Sequence, residues 1–181
     1  MQKDGKQVFV NLNTNPSAVS VIIEKEEKNS YEILLQIRSK PDKDPFYSGT
    51  IEIPGGGIGA YENVFTAAQR EVHEETGLEI INFFPNIQTQ VFSPRDDDCF
   101  AFVPFCCQQQ LKGGMPRIGI VFIATVKAGI PVPAENEVNN IFWIKIDELE
   151  KKLEREPEKF FTFQLPVLHY YLRWNKENRK I

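Results

Sequence analysis

The stretch Gly56–Leu78, GGIGAYENVFTAAQREVHEETGL, sets a glycine-rich turn ahead of a helical pattern that crowds Glu71, Glu74 and Glu75 onto one side. At about 100° per helical residue the three carboxylates fall within an arc of roughly 100°. Glu71 stands three and four positions before Glu74 and Glu75, spacings at which like charges repel. Acids close to the helix C-terminus also oppose the macrodipole, so local stability gains nothing from the cluster. A divalent cation reverses the sign of that repulsion. Hard oxygen donors in a tight group suit Mg²⁺, with Mn²⁺ as a substitute, and Mg²⁺ typically couples protein carboxylates to substrate phosphate oxygens. Neighbouring Glu residues on their own more commonly mark a solvated acidic face.

The whole pattern tips the balance. Gly56 is followed after five residues by Glu62, after seven more by Arg70-Glu71, then by Val72, Glu74-Glu75, Gly77 and Leu78, with Pro54-Gly55 in front. In these residues the chain resembles the Nudix hydrolase family, MutT-like enzymes whose box it matches at every fixed position. The resemblance implies an α/β fold, an α/β/α sandwich with a mixed β-sheet, and hydrolysis of the pyrophosphate in a nucleoside diphosphate linked to another group. It also implies that Glu71, Glu74 and Glu75 hold the metal together with the carbonyl of Gly55, while Glu62 and Arg70 order the surrounding shell. For the proton acceptor, family members use either a box carboxylate or a later loop glutamate. In AENEVNNIFW the loop candidate is Glu137, six residues before Trp143, with Glu135 beside it.

The residues around the box fit this reading separately. Phe65, Ala68 and Val72 recur at helical spacing and form a stripe that can pack on a sheet. Ala67, one turn before Glu71, is expected to leave room for hydrated metal. Arg70, four residues before Glu74, is placed to hold Glu74 or Glu62 by a forked ion pair. Gly77 suits the left-handed residue that ends a helix.

At 181 residues with 41 % hydrophobic content the chain is expected to form one domain, residues 1–181. A net charge of −4 argues against nonspecific nucleic-acid binding, which draws on basic surface, but not against a small nucleotide-derivative substrate. No apolar run of about 18 residues spans a bilayer, and MQKDGKQ lacks a signal-peptide plan, so the expected location is the cytoplasm. The three cysteines, Cys99, Cys106 and Cys107, match neither a disulfide framework nor a zinc pair and are expected to be buried and reduced. His73 points away from the acidic arc, and His169 falls in a terminal packing helix. A homodimer, through exposed apolar strands or the N-terminal arm, is the family's frequent state.

Strands are expected in SAVSVIIEK and SYEILLQIRSK, joined by a turn at EEKNS, and then in EIINFFPNIQTQVF, CFAFVPFCCQQQ, IGIVFIATV and NNIFWIKI. DELEKKLERE reads as a helix capped by Asp147, and QLPVLHYYLRWNKEN as a final helix. For substrate, Pro94 is the sixteenth residue counting from Leu78, an offset that looks like the mark of ADP-ribose pyrophosphatases within the family. Arg95, with Arg117, is the candidate for phosphate, and Phe102, with Phe100 and Phe105, for stacking on a base. Surface charge and core packing are the competing roles. ADP-ribose or a related compound stands slightly ahead. The alternatives are a nucleoside triphosphate pyrophosphohydrolase and a Nudix domain that senses a nucleotide without turnover, although none of the box acids is altered.

Overall fold

The computed structural model describes residues 17–27, 30–42 and 44–179. Its strands are β1 (Ser17–Glu27), β2 (Ser30–Arg38), β3 (Ile51–Glu52), β4 (Gly55–Gly57), β5 (Ile80–Phe84), β6 (Ile87–Gln88), β7 (Phe102–Val103), β8 (Cys106–Gln109), β9 (Ile118–Val126) and β10 (Val138–Lys145). Its helices are α1 (Val64–Thr76), α2 (Ile146–Arg155) and α3 (Leu165–Asn178). The main path of the large sheet runs β10-β2-β1-β9-β5, with β3 on β2, β4 on β1 and β8 on β9. β1 and β9 pair in parallel and the other neighbours are antiparallel, which makes the sheet mixed, as expected.

Both faces of the sheet are apolar, and the two-residue period of the strands assigns side chains to them. Val19, Val21 and Ile23 of β1, Leu34 of β2 and Phe122 and Ala124 of β9 pack with Val64, Phe65, Ala67, Ala68 and Val72 of α1. The alternate residues Ile22, Ile33, Leu35, Val121 and Ile123 pack with Leu149 and Leu153 of α2 and with Val167, Leu168, Tyr171 and Leu172 of α3. Helices therefore cover the sheet on both sides, and the expected Phe65-Ala68-Val72 stripe is the one that does so for α1. Ala67 is corrected: its side chain is fully buried in the core between α1 and the sheet.

Element boundaries differ from expectation where proline intervenes. Pro85 and Pro104 have no N–H for the ladder, and each of the two long strands expected around them is split, into β5 and β6 and into β7 and β8. Asp147 is not the cap of α2; Lys145 occupies that position without a side-chain bond, and Asp147 lies in the first turn, where its charge meets the positive helix end. The cysteines are all free, but Cys99 and Cys107 are exposed, contrary to expectation. Alternation along β8 turns Cys107 outward and Gln108 inward. Lys28 and Asn29 of the β1–β2 turn and the N-terminal arm lie outside the described residues.

Two local devices position the box. Asn63 caps α1 by accepting from the Phe65 N–H at 2.9 Å, and Gly77, at φ 70°, closes it by donating to the His73 carbonyl at 2.8 Å. Ahead of the glycines, the buried Gln164 side chain clamps Ile53. It accepts from the Ile53 N–H at 2.7 Å and donates to the Ile53 carbonyl at 3.0 Å, so the strand leading to Pro54 is held by the segment before α3. Replacing Gln164 by Leu strands two buried backbone groups, and the expected loss is about 2 kcal/mol or more, read as a lower urea midpoint. A midpoint equal to that of the wild type would show that the clamp carries no stability.

Candidate active site

The buried stripe of α1 leaves its acids along the opposite edge, over the glycine run. Glu71 and Glu75 are nevertheless buried, whereas the Glu74 side chain is 55 % exposed. Glu75 accepts from the Gly55 N–H at 2.9 Å and from the Gln36 amide at 2.7 Å, and it pairs with Lys40 at 3.3 Å. Burial raises its pKa, and Lys40, Gly55 and Gln36 work against that rise. Gly56 is needed for a close approach: a Cβ there would stand within 2.5 Å of the Glu71 carboxylate. The main chain therefore lies directly against that acid.

Arg70 gathers the remaining box acids. Its Nε and Nη2 take the two oxygens of Glu62 at 2.8 and 2.9 Å, and its Nη1 donates to Glu71 at 2.7 Å and to Glu74 at 3.1 Å. Nη2 also reaches the Gly57 carbonyl at 3.0 Å. Glu62 accepts the Gly59 N–H at 2.7 Å as well, and Arg70 first and this backbone bond second hold its carboxyl down at about 2. Glu62 and Arg70 thus link the glycine turn to the helix.

The loop candidate also comes to this network. The segment before β10 is tied to the end of α1 by the Val132 N–H on the Thr76 carbonyl, 2.8 Å, and the Ala134 N–H on the Glu75 carbonyl, 3.2 Å. Glu137 then meets Lys40 at 3.0 Å, the same ammonium that pairs with Glu75. Burial opposes the charge on Lys40, but Glu75 and Glu137 outweigh it and its pKa is raised. Glu135 is exposed. Phe102 packs on Phe65, Phe100 and Phe122, and Arg95 sits in the exposed segment before β7, so neither lines the cavity on the glycine run.

Glu52, Gln36, Arg38 and Lys40 were not singled out from sequence. Glu52 stands between Ile51 and Ile53, which belong to the α2–α3 core, so alternation turns Glu52 to the other face, where it is directly paired with Gln36. It accepts from Arg38 at 3.2 Å and Gln36 at 3.3 Å. An acid between two core isoleucines and a Gln within ILLQIR are the signals that were available.

Among the described residues, no three acidic, histidine or cysteine side chains form a group ready to hold a metal ion. Protein cations occupy the relevant oxygens. Because Arg70 Nη1 contacts both Glu71 and Glu74, those two carboxylates already reach a common point. The donors are hard oxygens, so the residues fit Mg²⁺ or Mn²⁺, and Glu71, Glu74 and Glu75 are the groups that would hold it. In the metal-free protein, burial first and Glu75 second push the Glu52 carboxyl from 4.5 to about 7. A carboxyl with a raised folded pKa contributes stability at pH below its unfolded value and loses it as pH rises through the folded one. Stability in EDTA is therefore expected to fall between about pH 5 and pH 7, and Glu52→Gln to make that slope shallower in urea titrations. Coincident slopes would mean that Glu52 stays ionised in the folded state.

A family model described as NUDIX domain matches residues 14–164. No curated protein matches the chain. Among solved structures, the MutT protein from Methanosarcina mazei Go1 is 22 % identical, with 91 % of this chain and 96 % of that one covered and a TM-score of 0.60. The NUDIX domain of Shewanella oneidensis NrtR, complexed with ADP ribose, is 12 % identical, with 88 % of each chain covered and a TM-score of 0.60. A C. elegans Ap4A hydrolase is 17 % identical, with 88 % and 98 % covered and a TM-score of 0.55. Identities this low carry the fold and leave the substrate open. The family model, by contrast, spans most of the chain and contains the glycine run, α1 and the Glu137 loop, and on that match the chain belongs to the Nudix family of hydrolases.

Proposed function

We propose that the protein hydrolyses the pyrophosphate bond of a nucleoside diphosphate linked to another group, with Mg²⁺ or, in its place, Mn²⁺, and with ADP-ribose or a related compound ahead of a nucleoside triphosphate. The observation that carries this reading is the gathering of Glu62, Glu71 and Glu74 on Arg70, and of Glu75 and Glu137 on Lys40, beside a cavity lined by Gly55, Gly56 and Gly57. Divalent cations, which Nudix hydrolases generally need, would offset the negative charge of the pyrophosphate at this site.

The chain's own residues do the rest. Glu71, Glu74 and Glu75, with the Gly55 carbonyl, would hold the ion, and Glu62 and Arg70 keep the acids oriented. The glycine run lets phosphates approach the main chain. Glu137 accepts the proton of the water that attacks phosphorus as the bridging P–O bond breaks. For ADP-ribose the products are AMP and ribose 5-phosphate. The offset of Pro94 and the fold shared with a domain bound to ADP ribose support that substrate. The complete set of box acids supports turnover over sensing alone.

No helix among the described residues is long and apolar enough to cross a membrane, and a cytoplasmic location is part of the same reading. So is a homodimer, supported by the exposed Ile81, Phe84, Ile87 and Val103 on β5, β6 and β7. Sedimentation at micromolar concentration should give twice the chain mass; a monomer there removes this part.

Glu74→Gln is expected to lower kcat on the best substrate by about 100-fold or more while leaving the unfolding free energy from urea titration within about 0.5 kcal/mol of wild type, since Glu74 is exposed. Glu137→Gln should also lower kcat about 100-fold and abolish the acidic limb of its pH profile, with Glu135→Gln near wild type. Wild-type turnover by Glu74→Gln in saturating Mg²⁺ would overturn the metal assignment. An unchanged acidic limb in Glu137→Gln would return the proton to a box carboxylate.

A further inference from the structure

Two adjoining cavities, of about 260 and 700 Å³, open beside the glycine run. The smaller is bordered by Ser17–Ser20, Gly55–Gly57 and the rings of Phe161 and Phe163. The larger is bordered by Phe46, Tyr47, Asp44 and Gly114. Arg38, Lys40, Met115 and Arg117 line both and so mark the passage between them. The passage carries three cations, and their charges are committed to different degrees.

Arg38 is paired with Glu52 at 3.2 Å and Asp44 at 3.0 Å, and Lys40 with Glu75 and Glu137. Arg117 has no carboxylate within salt-bridge distance among the described residues. Its guanidinium lies over Phe163 at 5.3 Å and Phe161 at 5.8 Å. Burial and the neighbouring Arg38 both weigh against its charge. The acids nearest to hand are taken: Asp44 and Glu52 both face Arg38. The buried Nε of Arg38 is itself without a hydrogen-bond partner among the described residues. A guanidinium stacked on rings keeps its N–H edges free in the plane, and that edge is suited to two oxygens of a phosphate.

We propose that Arg117 is a specificity-determining residue that receives a phosphate of the substrate other than the pyrophosphate being cleaved. Among compounds related to ADP-ribose, those with an additional phosphate are then preferred to their counterparts without it, and the larger cavity holds the part of the molecule that bears it. The exposed ring of Phe46 and the side chain of Met115 give that part an apolar border suited to a base or sugar. This inference rests on the hydrolytic reading above for the placement of the pyrophosphate on the glycine run.

The test uses two pairs of compounds that differ in phosphate content: NADH with NADPH, and diadenosine diphosphate with diadenosine tetraphosphate. Equilibrium binding is measured by calorimetry with and without Mg²⁺, and turnover is measured in parallel. Wild type should bind the phosphate-richer member of at least one pair roughly tenfold or more tightly. Arg117→Met should abolish that ratio and Arg117→Lys should keep part of it, with thermal melting to confirm that both variants are folded. A packing role alone would weaken both members equally and leave the ratio unchanged, which overturns the proposal. So does a wild type that does not discriminate in either pair. Discrimination that depends on Arg117 without turnover of any compound would leave the phosphate site standing and remove the hydrolytic reading instead.

Discussion

The buried carboxylate of Glu75 is the point on which the site depends. Its oxygens are met by the Gly55 N–H, the Gln36 amide and the Lys40 ammonium, so one side chain joins α1 to the glycine run and to β2. A carboxyl group with no exposure is tolerable only when its oxygens are met by hydrogen bonds or a counter-charge. That requirement fixes the rotation of α1 over the sheet. Once Glu75 is set, Glu71 falls against Gly56 and Glu74 reaches toward solvent, with no further choice left to the helix.

Charge around this point is balanced by the protein itself. Arg70 holds three acids and Lys40 two, and each cation contacts carboxylates from different segments. The repulsion that the sequence pattern implies is therefore relieved before any ion arrives. The same arrangement explains why the acids do not converge as a ready metal group among the described residues: the oxygens needed are turned toward a guanidinium and an ammonium. A divalent ion held by these acids, as proposed, would have to compete with these contacts.

How much of this was legible in the sequence follows from how far apart the partners lie along the chain. Glu62, Arg70, Glu71 and Glu74 sit within one turn and one helix, where spacing alone defines geometry, and their contacts are local. The stripe of Phe65, Ala68 and Val72 was legible for the same reason. Gln36 and Glu52 were not, because they meet through strand register, 16 residues apart, and each looks in sequence like a polar interruption of an apolar strand. The split of the strands around Pro85 and Pro104 shows the converse, a local signal outvoted by a longer apolar run. Cys107 was misjudged because its run reads as uniformly buried, whereas β8 pairs with β9 alone and exposes alternate side chains.

The same distinction separates chemistry from substrate choice. The box acids come from one continuous stretch and are identified by a motif. The surroundings of the cavity come from β1, the glycine run, the residue before β9 and the segment before α3, brought together by sheet pairing and by the Gln164 clamp. No fixed spacing relates Ser17, Arg117 and Phe163, so no motif can record them. Structures that share this fold carry names as different as MutT protein and Ap4A hydrolase, as expected when one half of a site is local and the other is assembled at long range. In this chain the assembled half has its own charge pattern, in which Arg117 lies over Phe161 and Phe163 without an acidic partner among the described residues. It is there, rather than in the box, that the proposed reading of the second half of the substrate resides.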